Sequence, residues 1–210
     1  MARKTKAEAL ETRQTILDAA EAMFCARGVA RTSLHEIAES AQLTRGAVYW
    51  HFKNKYDLLL ALWERFAVPV DEAFDAIDAE ADLSALQRIR KKTLGLFHRV
   101  VHDDRARNLL TILLLRCEMV DEVAAARRHI LDQRNECLDH VAAGFAQAIA
   151  DGELPATVAP MAAAVSLRAL VDGLVYHWLL DPGHFDLEAV GAGAVDGWLA
   201  GLGRPTATVT

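Results

Sequence analysis

Between residues 33 and 55 the chain holds two short amphipathic segments separated by three residues, and that spacing leaves few ways to fold. Ser33 followed by Glu36 has the spacing of a capping box, in which each side chain satisfies a backbone N–H of the other at a helix start. Leu34, Ile37, Ala38 and Ala41 then recur at i, i+3, i+4 and i+7, one face of a helix. Thr44 caps a second helix, Leu43 can staple onto Val48, and Val48 with Phe52 makes the next inward pair. Joined through Ala41-Gln42-Leu43, the two segments predict a helix-turn-helix, a motif whose second helix enters the major groove of duplex DNA.

The second helix leaves Arg45, Gly46, Ala47, Tyr49, Trp50 and His51 outside. Because Val48 and Phe52 already fill the inward positions, Tyr49 and Trp50 must point mostly elsewhere. Gly46 and Ala47 are poor surface residues unless a partner approaches the helix closely. Lys55 falls in the first turn of the next helix, where a cation opposes the helix dipole. It makes sense there if phosphate is bound, since helix N-terminus and ammonium then act together.

Helical periodicity continues through the rest of the chain, and no stretch alternates long enough for a sheet, so the fold class is all-α. A first helix over about 7–26 carries Leu10, Leu17, Ala20 and Phe24 on one stripe, and Gly28 stands where a left-handed cap is needed. A fourth helix from near Asn54 carries Tyr56, Leu59, Leu60, Trp63 and Phe66 until Pro69 kinks or breaks it. Ser84 and Gln87 form another capping box, opening a helix through Ile89, Leu94, Phe97 and Val101. Leu109–Leu115 is so apolar that a helix buried on all sides is predicted. A long helix runs from about Val120 to Ala150, another from Pro160 to Leu180, and Asp186 caps the last, ahead of a polar tail with Pro205. The domains predicted are 1–55, a helix-turn-helix, and 56–210, a helical domain for effector binding and dimerisation.

Charge divides the same way. The chain's formal net charge is −6, but residues 1–55 hold nine Lys/Arg against six Asp/Glu, whereas residues 56–210 hold fourteen against twenty-three. Phosphate attraction depends on the face that meets it, not on the whole chain. Apolar residues make up 52% and charged residues 25%, as in an ordinary soluble protein. No apolar run reaches spanning length and the basic N-terminus lacks a signal peptide's apolar stretch, so a cytoplasmic protein with no membrane partner is expected.

Cys25, Cys117 and Cys137 lack Cys-x-x-Cys spacing, which fits reduced thiols. His98 and His102, four apart, share one helix face as two metal ligands would, and Cys117, Glu118, Cys137 and His177 are further donors. None supplies a third ligand at a diagnostic spacing and Arg99 and Arg105 lie near in sequence, so neither metal nor other cofactor is assigned. There is no Gly-rich phosphate loop, nucleophile elbow or His-Glu-x-x-His, so no enzyme is predicted.

Ile37-Ala38, Ala41, Thr44-Arg45-Gly46-Ala47-Val48-Tyr49-Trp50-His51-Phe52-Lys53-Asn54-Lys55 and Leu58 together resemble the signature of the TetR family of one-component transcriptional regulators. Leu115-Arg116-Cys117-Glu118, Gly152-Glu153-Leu154-Pro155 and Asp172-Gly173-Leu174 resemble its AcrR-like branch, repressors of multidrug efflux pumps. The resemblance implies base contacts from Thr44, Arg45, Gly46, Ala47 and Trp50, and phosphate contacts from Thr32, Ser33, Tyr49, His51 and Lys55. The family usually has Gly in the turn where this chain has Gln42, which costs ~1 kcal/mol if that residue is left-handed.

Together these features predict a repressor that binds a pseudo-palindromic operator as a homodimer and leaves it on binding a hydrophobic or amphiphilic small molecule. Effector-lining candidates are Trp63, Phe66, Phe97, His98, Arg116, Phe145 and Trp178, aromatic walls with a few polar groups. The dimer is placed on the last two long helices. Gly193, Gly197 and Gly201 lie one turn apart at ~1 kcal/mol each in helix stability, and Met161, Val165, Leu170 and Leu174 offer an apolar seam. The alternatives are a metal- or redox-dependent sensor, or a helical ligand-binding enzyme with a DNA-binding appendage; stoichiometric metal or turnover would distinguish them.

Overall fold

The computed structural model describes residues 5–117 and 124–203. Glu118, Val120 and Pro205 lie outside them. Helices α1 (Lys6–Arg27), α2 (Leu34–Ser40), α3 (Arg45–His51), α4 (Lys55–Asp78), α5 (Ala85–His102) and α6 (Asp104–Thr111) lead into a π-helical turn, Ile112–Arg116. Then come α7 (Ala124–Ala150), α8 (Pro160–Leu180) and α9 (Leu187–Gly201). Among the described residues there is no strand, and the class is all-α as the periodicity requires.

The chain forms two compact units, residues 1–69 with 104–129, and residues 70–103 with 130–210. The division falls inside α4, between Pro69 and Val70, rather than at 55/56, and the first unit recruits a second segment of chain. Its core shows why. Ile16, Leu17, Ala20 and Phe24 of α1, Leu34, Ile37 and Ala38 of α2, and Val48 and Phe52 pack with Leu58, Leu59 and Leu62 of α4. Leu109 of α6 and Ile112 of the π-helical turn close the same cluster. Three helices within the first 51 residues bury little apolar surface alone, and α4 and α6 add further walls to the core.

Local chemistry sets the helix ends. Thr5, Ser33 and Ser84 each form a reciprocal capping box, with Glu8, Glu36 and Gln87. Thr44 Oγ1 accepts from the Ala47 N–H at 3.2 Å. Gln42 is left-handed, with φ 55°, so the strain anticipated for a non-glycine turn residue is present. Gly28 has positive φ, 86°, but ψ is 161°, an extended rather than a left-handed helical cap. A Cβ there would lie 3.1 Å from the Arg116 carbonyl oxygen, so close approach as well as φ demands glycine.

Several sequence expectations give way. Leu10 is exposed, because the buried stripe of α1 runs through Ile16, Leu17, Ala20 and Phe24 instead. Pro69 neither ends nor breaks α4, which continues to Asp78. The Leu109–Leu115 stretch is not buried on all sides; the helix widens into the π-helical turn and leaves Leu114 exposed.

The second unit is built on α5, α8 and α9, with Phe145 of α7 fully buried and edge-on to Trp198 at 5.9 Å. The Gly152-Glu153-Leu154-Pro155 motif is a joint. Gly152 takes φ 77°, Leu154 is buried, and Glu153 caps the start of α5, accepting from Ser84 Oγ and, at 3.0 Å, from the Ala85 N–H. A carboxylate at a helix N-terminus is favoured by the dipole. By length and composition alone α8 is long and apolar enough to cross a membrane. Here Ala163, Ala164, Leu167, Val171, Val175, Trp178 and Leu179 of that helix are buried in the unit, and Arg168 pairs with Asp172 on its exposed side.

Candidate nucleic-acid interface and sensor region

Only Val48 of α3 is buried, so the helix lies on the core along one edge and shows the rest of its circumference. Trp50 is 73% exposed and Tyr49 50%. Arg45 and Gly46 are exposed, and Ala47 and His51 half-buried. The His51 ring stands edge-on to Trp50 at 4.5 Å, which helps to orient the indole. A Cβ on Gly46 would meet nothing closer than Thr44 Oγ1, at 3.9 Å. Packing inside the chain therefore does not require that glycine, and the bare patch beside Arg45 is open to a partner.

Two of the residues assigned to phosphate have other work. Thr32 is buried, and its hydroxyl donates to the Gly28 carbonyl at 2.8 Å, closing the turn between α1 and α2. Lys55 Nζ donates to the Val29 and Ala30 carbonyls at 2.9 and 3.2 Å, tying the start of α4 to that turn. Sequence spacing could not show this, because the carbonyls come from residues more than twenty positions earlier. Ser33 is exposed, with its hydroxyl engaged by Glu36. Those hydrogen bonds, above all from the Ser33 hydroxyl and N–H, hold the Glu36 carboxyl below the usual carboxylate range.

The seven effector candidates divide between the units. Trp63, Phe66 and Arg116 belong to the first. The Trp63 and Phe66 rings lie 5.8 Å apart and tilted by 51°, half-buried against its core, while Arg116 is exposed. Phe97, Phe145 and Trp178 are buried within the second unit, Phe97 against the backbone of α9 at Gly191. His98 is at the surface rather than in an apolar wall, and its Nδ1 lies 2.8 Å from Glu188 Oε1.

On α8 and α9, Met161, Val165 and the three glycines are exposed, and Leu170 and Leu174 half-buried. Tyr176, Leu180 and Val190, which periodicity alone does not single out, are further exposed apolar side chains. A Cβ on Gly193, Gly197 or Gly201 would meet no atom within 4 Å. Close packing inside one subunit therefore does not account for this stripe. Gly191, two residues before it, is the glycine that internal packing demands.

Two of the thiols, Cys25 and Cys117, are poorly suited to redox sensing. Burial, reinforced by the nearby Glu21 carboxylate and partly offset by Arg116, raises Cys25 from an ordinary 9.0 to about 11. Burial raises Cys117 as well. Since the thiolate is the reactive form, at pH 8 roughly one Cys25 in a thousand is ionised. Alkylation of Cys25 by iodoacetamide, followed by peptide mass spectrometry, should be very slow at pH 8 and rise about tenfold by pH 9. Rapid labelling at pH 8 would show a reactive cysteine after all.

The comparisons with known proteins agree with this architecture. The family model for bacterial regulatory proteins of the tetR family matches residues 16–62, and that for the C-terminal region of MAATS-type transcriptional repressors matches residues 84–203. The chain is 39% identical over 191 residues to the HTH-type transcriptional regulator AcrR of Shigella flexneri, covering 90% of this chain and 87% of that protein. NalD of Pseudomonas aeruginosa, the secondary repressor of the MexAB-OprM multidrug efflux pump, superposes with a TM-score of 0.85 at 31% identity, over 95% of this chain and 99% of that one. SmeT in complex with triclosan, from the repressor of the Stenotrophomonas maltophilia efflux pump SmeDEF, gives 0.81 at 32% identity over 93% of both chains. The matches to both ends of the chain, with an exposed third helix on a core completed by α6, show that the protein belongs to the TetR family of bacterial transcriptional regulators.

Proposed function

We propose that the protein is a ligand-released repressor of a multidrug efflux operon, acting in the cytoplasm as a homodimer on a pseudo-palindromic operator. The observation that carries the DNA-binding half is α3, which exposes Arg45, Gly46, Tyr49 and Trp50 while Val48 and Phe52 anchor it. Thr44, Arg45, Gly46, Ala47 and Trp50 read base edges. Ser33, Tyr49 and His51 touch phosphate, and Lys55 acts by holding the turn that presents them. The similarity to NalD and SmeT supports the efflux assignment, and the triclosan in the SmeT structure supports a small-molecule effector.

The dimer rests on the exposed apolar residues and open glycines of α8 and α9, and a two-fold dimer calls for a two-fold operator. Sedimentation at micromolar concentration tests it: a dimer is expected, and a monomer would refute it. Release requires the effector to bind the free conformation better than the DNA-bound one, and DNA must reciprocally weaken effector binding. Helix α4 contributes residues to both units, and effector-driven movement acts through it.

Sequencing the fragments that the purified protein retains from sheared genomic DNA tests the function. A pseudo-palindrome beside transporter genes is expected, and retention without sequence preference would overturn the reading. With that operator in hand, Arg45→Ala should cost ~1–3 kcal/mol in binding and relax preference at one base pair of each half-site. Unchanged affinity and specificity would mean that α3 is not the reading helix.

A further inference from the structure

His98 and His102 lie on successive turns of α5, their rings 4.3 Å apart between centroids. Sequence supplies no third ligand near them, but the fold does. Glu188, in the first turn of α9, sets Oε1 2.8 Å from His98 Nδ1 and Oε2 3.0 Å from His102 Nε2. The ligand atoms of the three side chains all lie within 4.8 Å of one another. Both imidazoles are exposed to solvent, so an ion can reach them.

The arrangement is held from behind. Helices α5 and α9 run antiparallel, with Arg90 paired to Asp196 at 2.8 Å, Phe97 against Gly191, and then the two histidines against Glu188. Each contact lies further along α5 and further back along α9, so the register that brings Glu188 to the imidazoles is set by packing and an ion pair outside the cluster.

We propose that His98, His102 and Glu188 form a zinc site that clips α5 to the start of α9. Two imidazole nitrogens and one carboxylate oxygen are a zinc donor set, leaving a fourth tetrahedral position for water or an exogenous ligand. Zinc bonds of about 2.0–2.2 Å place tetrahedral ligands about 3.4 Å apart. The present contacts of 2.8 and 3.0 Å, which run to the two different oxygens of Glu188, need to open by roughly half an ångström while the side chains turn so that both imidazole nitrogens and one oxygen meet the ion. Any proton on a ligating ring nitrogen moves to the other ring nitrogen or to solvent as the ion binds.

The test uses the full-length protein, freed of any purification tag and stripped with a chelator, titrated with Zn2+ alone. One equivalent per chain is expected, together with a rise in melting temperature, since an ion that binds only the folded chain stabilises it. His98→Ala with His102→Ala, and separately Glu188→Gln, should each weaken binding at least tenfold and abolish the thermal shift while the helical circular dichroism is unchanged. Co2+ in place of Zn2+ should give the intense visible absorption of a tetrahedral site. In the unaltered protein Zn2+ should protect both histidines from diethylpyrocarbonate, a readout that depends on no variant. No saturable Zn2+ binding, full binding by the double variant, or unprotected histidines at saturating Zn2+ would each overturn the site.

Discussion

Replacing Arg65 with methionine should destabilise the DNA-binding unit by ~3 kcal/mol in urea unfolding at pH 7, the cost of leaving a nearly buried carboxylate without its cation. Arg65 projects from α4 onto α1, where its guanidinium is 14% exposed and reaches both Glu21 and Asp18. Glu21 is itself almost buried, and its other oxygen accepts from Asn108 Nδ2 of α6 at 2.8 Å. Three helices thus meet at one carboxylate. The variant leaves Glu21 with the Asn108 amide, too weak a partner for a full charge at that depth. Adding Glu21→Gln to Arg65→Met removes the orphaned charge and should recover a substantial part of the loss. An unfolding midpoint unchanged by Arg65→Met would show that this ion pair is solvated in solution and contributes little.

Gly191→Val should cost the second unit about 3 kcal/mol, because overpacking a closed core forces side chains from their rotamers and shifts backbone. A Cβ at Gly191 would stand 2.6 Å from Phe97 Cδ2 and Cε2, and Phe97 is 1% exposed, so the ring must shift within the core to admit a larger side chain. Gly191→Ala is milder, since alanine returns ~1 kcal/mol of helix propensity. The control is Gly193→Ala, two residues on, where a Cβ meets nothing within 4 Å; it should leave the folding of a single chain unharmed. Phe97→Leu in the Gly191→Val chain should restore stability by more than independent effects would add, as for residues in contact. Strict additivity, measured by thermal unfolding, would show that the two residues do not share this space.

The helix-turn-helix segment is legible in the sequence because its determinants are local. Capping boxes act over three residues, so Ser33–Glu36 and Ser84–Gln87 announced two helix starts that the structure reproduces. The i, i+4 spacing of Val48 and Phe52 turned Tyr49 and Trp50 outward without any knowledge of the partner surface. The family signature occupies the same stretch, which is why fold class and family could be read together. Wherever a residue's role is set by its neighbours in the chain, sequence determined it.

Tertiary structure decided the rest, because contact distance is independent of chain distance. Leu109 and Ile112 complete a core begun about ninety residues earlier at Ile16 and Leu17, so a domain boundary drawn from local composition could not include them. Lys55 reads as a phosphate ligand by its place in a helix turn, and only the fold shows that its ammonium also ties down the carbonyls of Val29 and Ala30. A pair of histidines four apart announces two ligands, and Glu188, some ninety positions later, becomes the third only because α9 lies antiparallel on α5. Glycines on α9 look alike in sequence; Gly191 is closed by the Phe97 ring and Gly193 faces open space, and only the packed helices tell them apart.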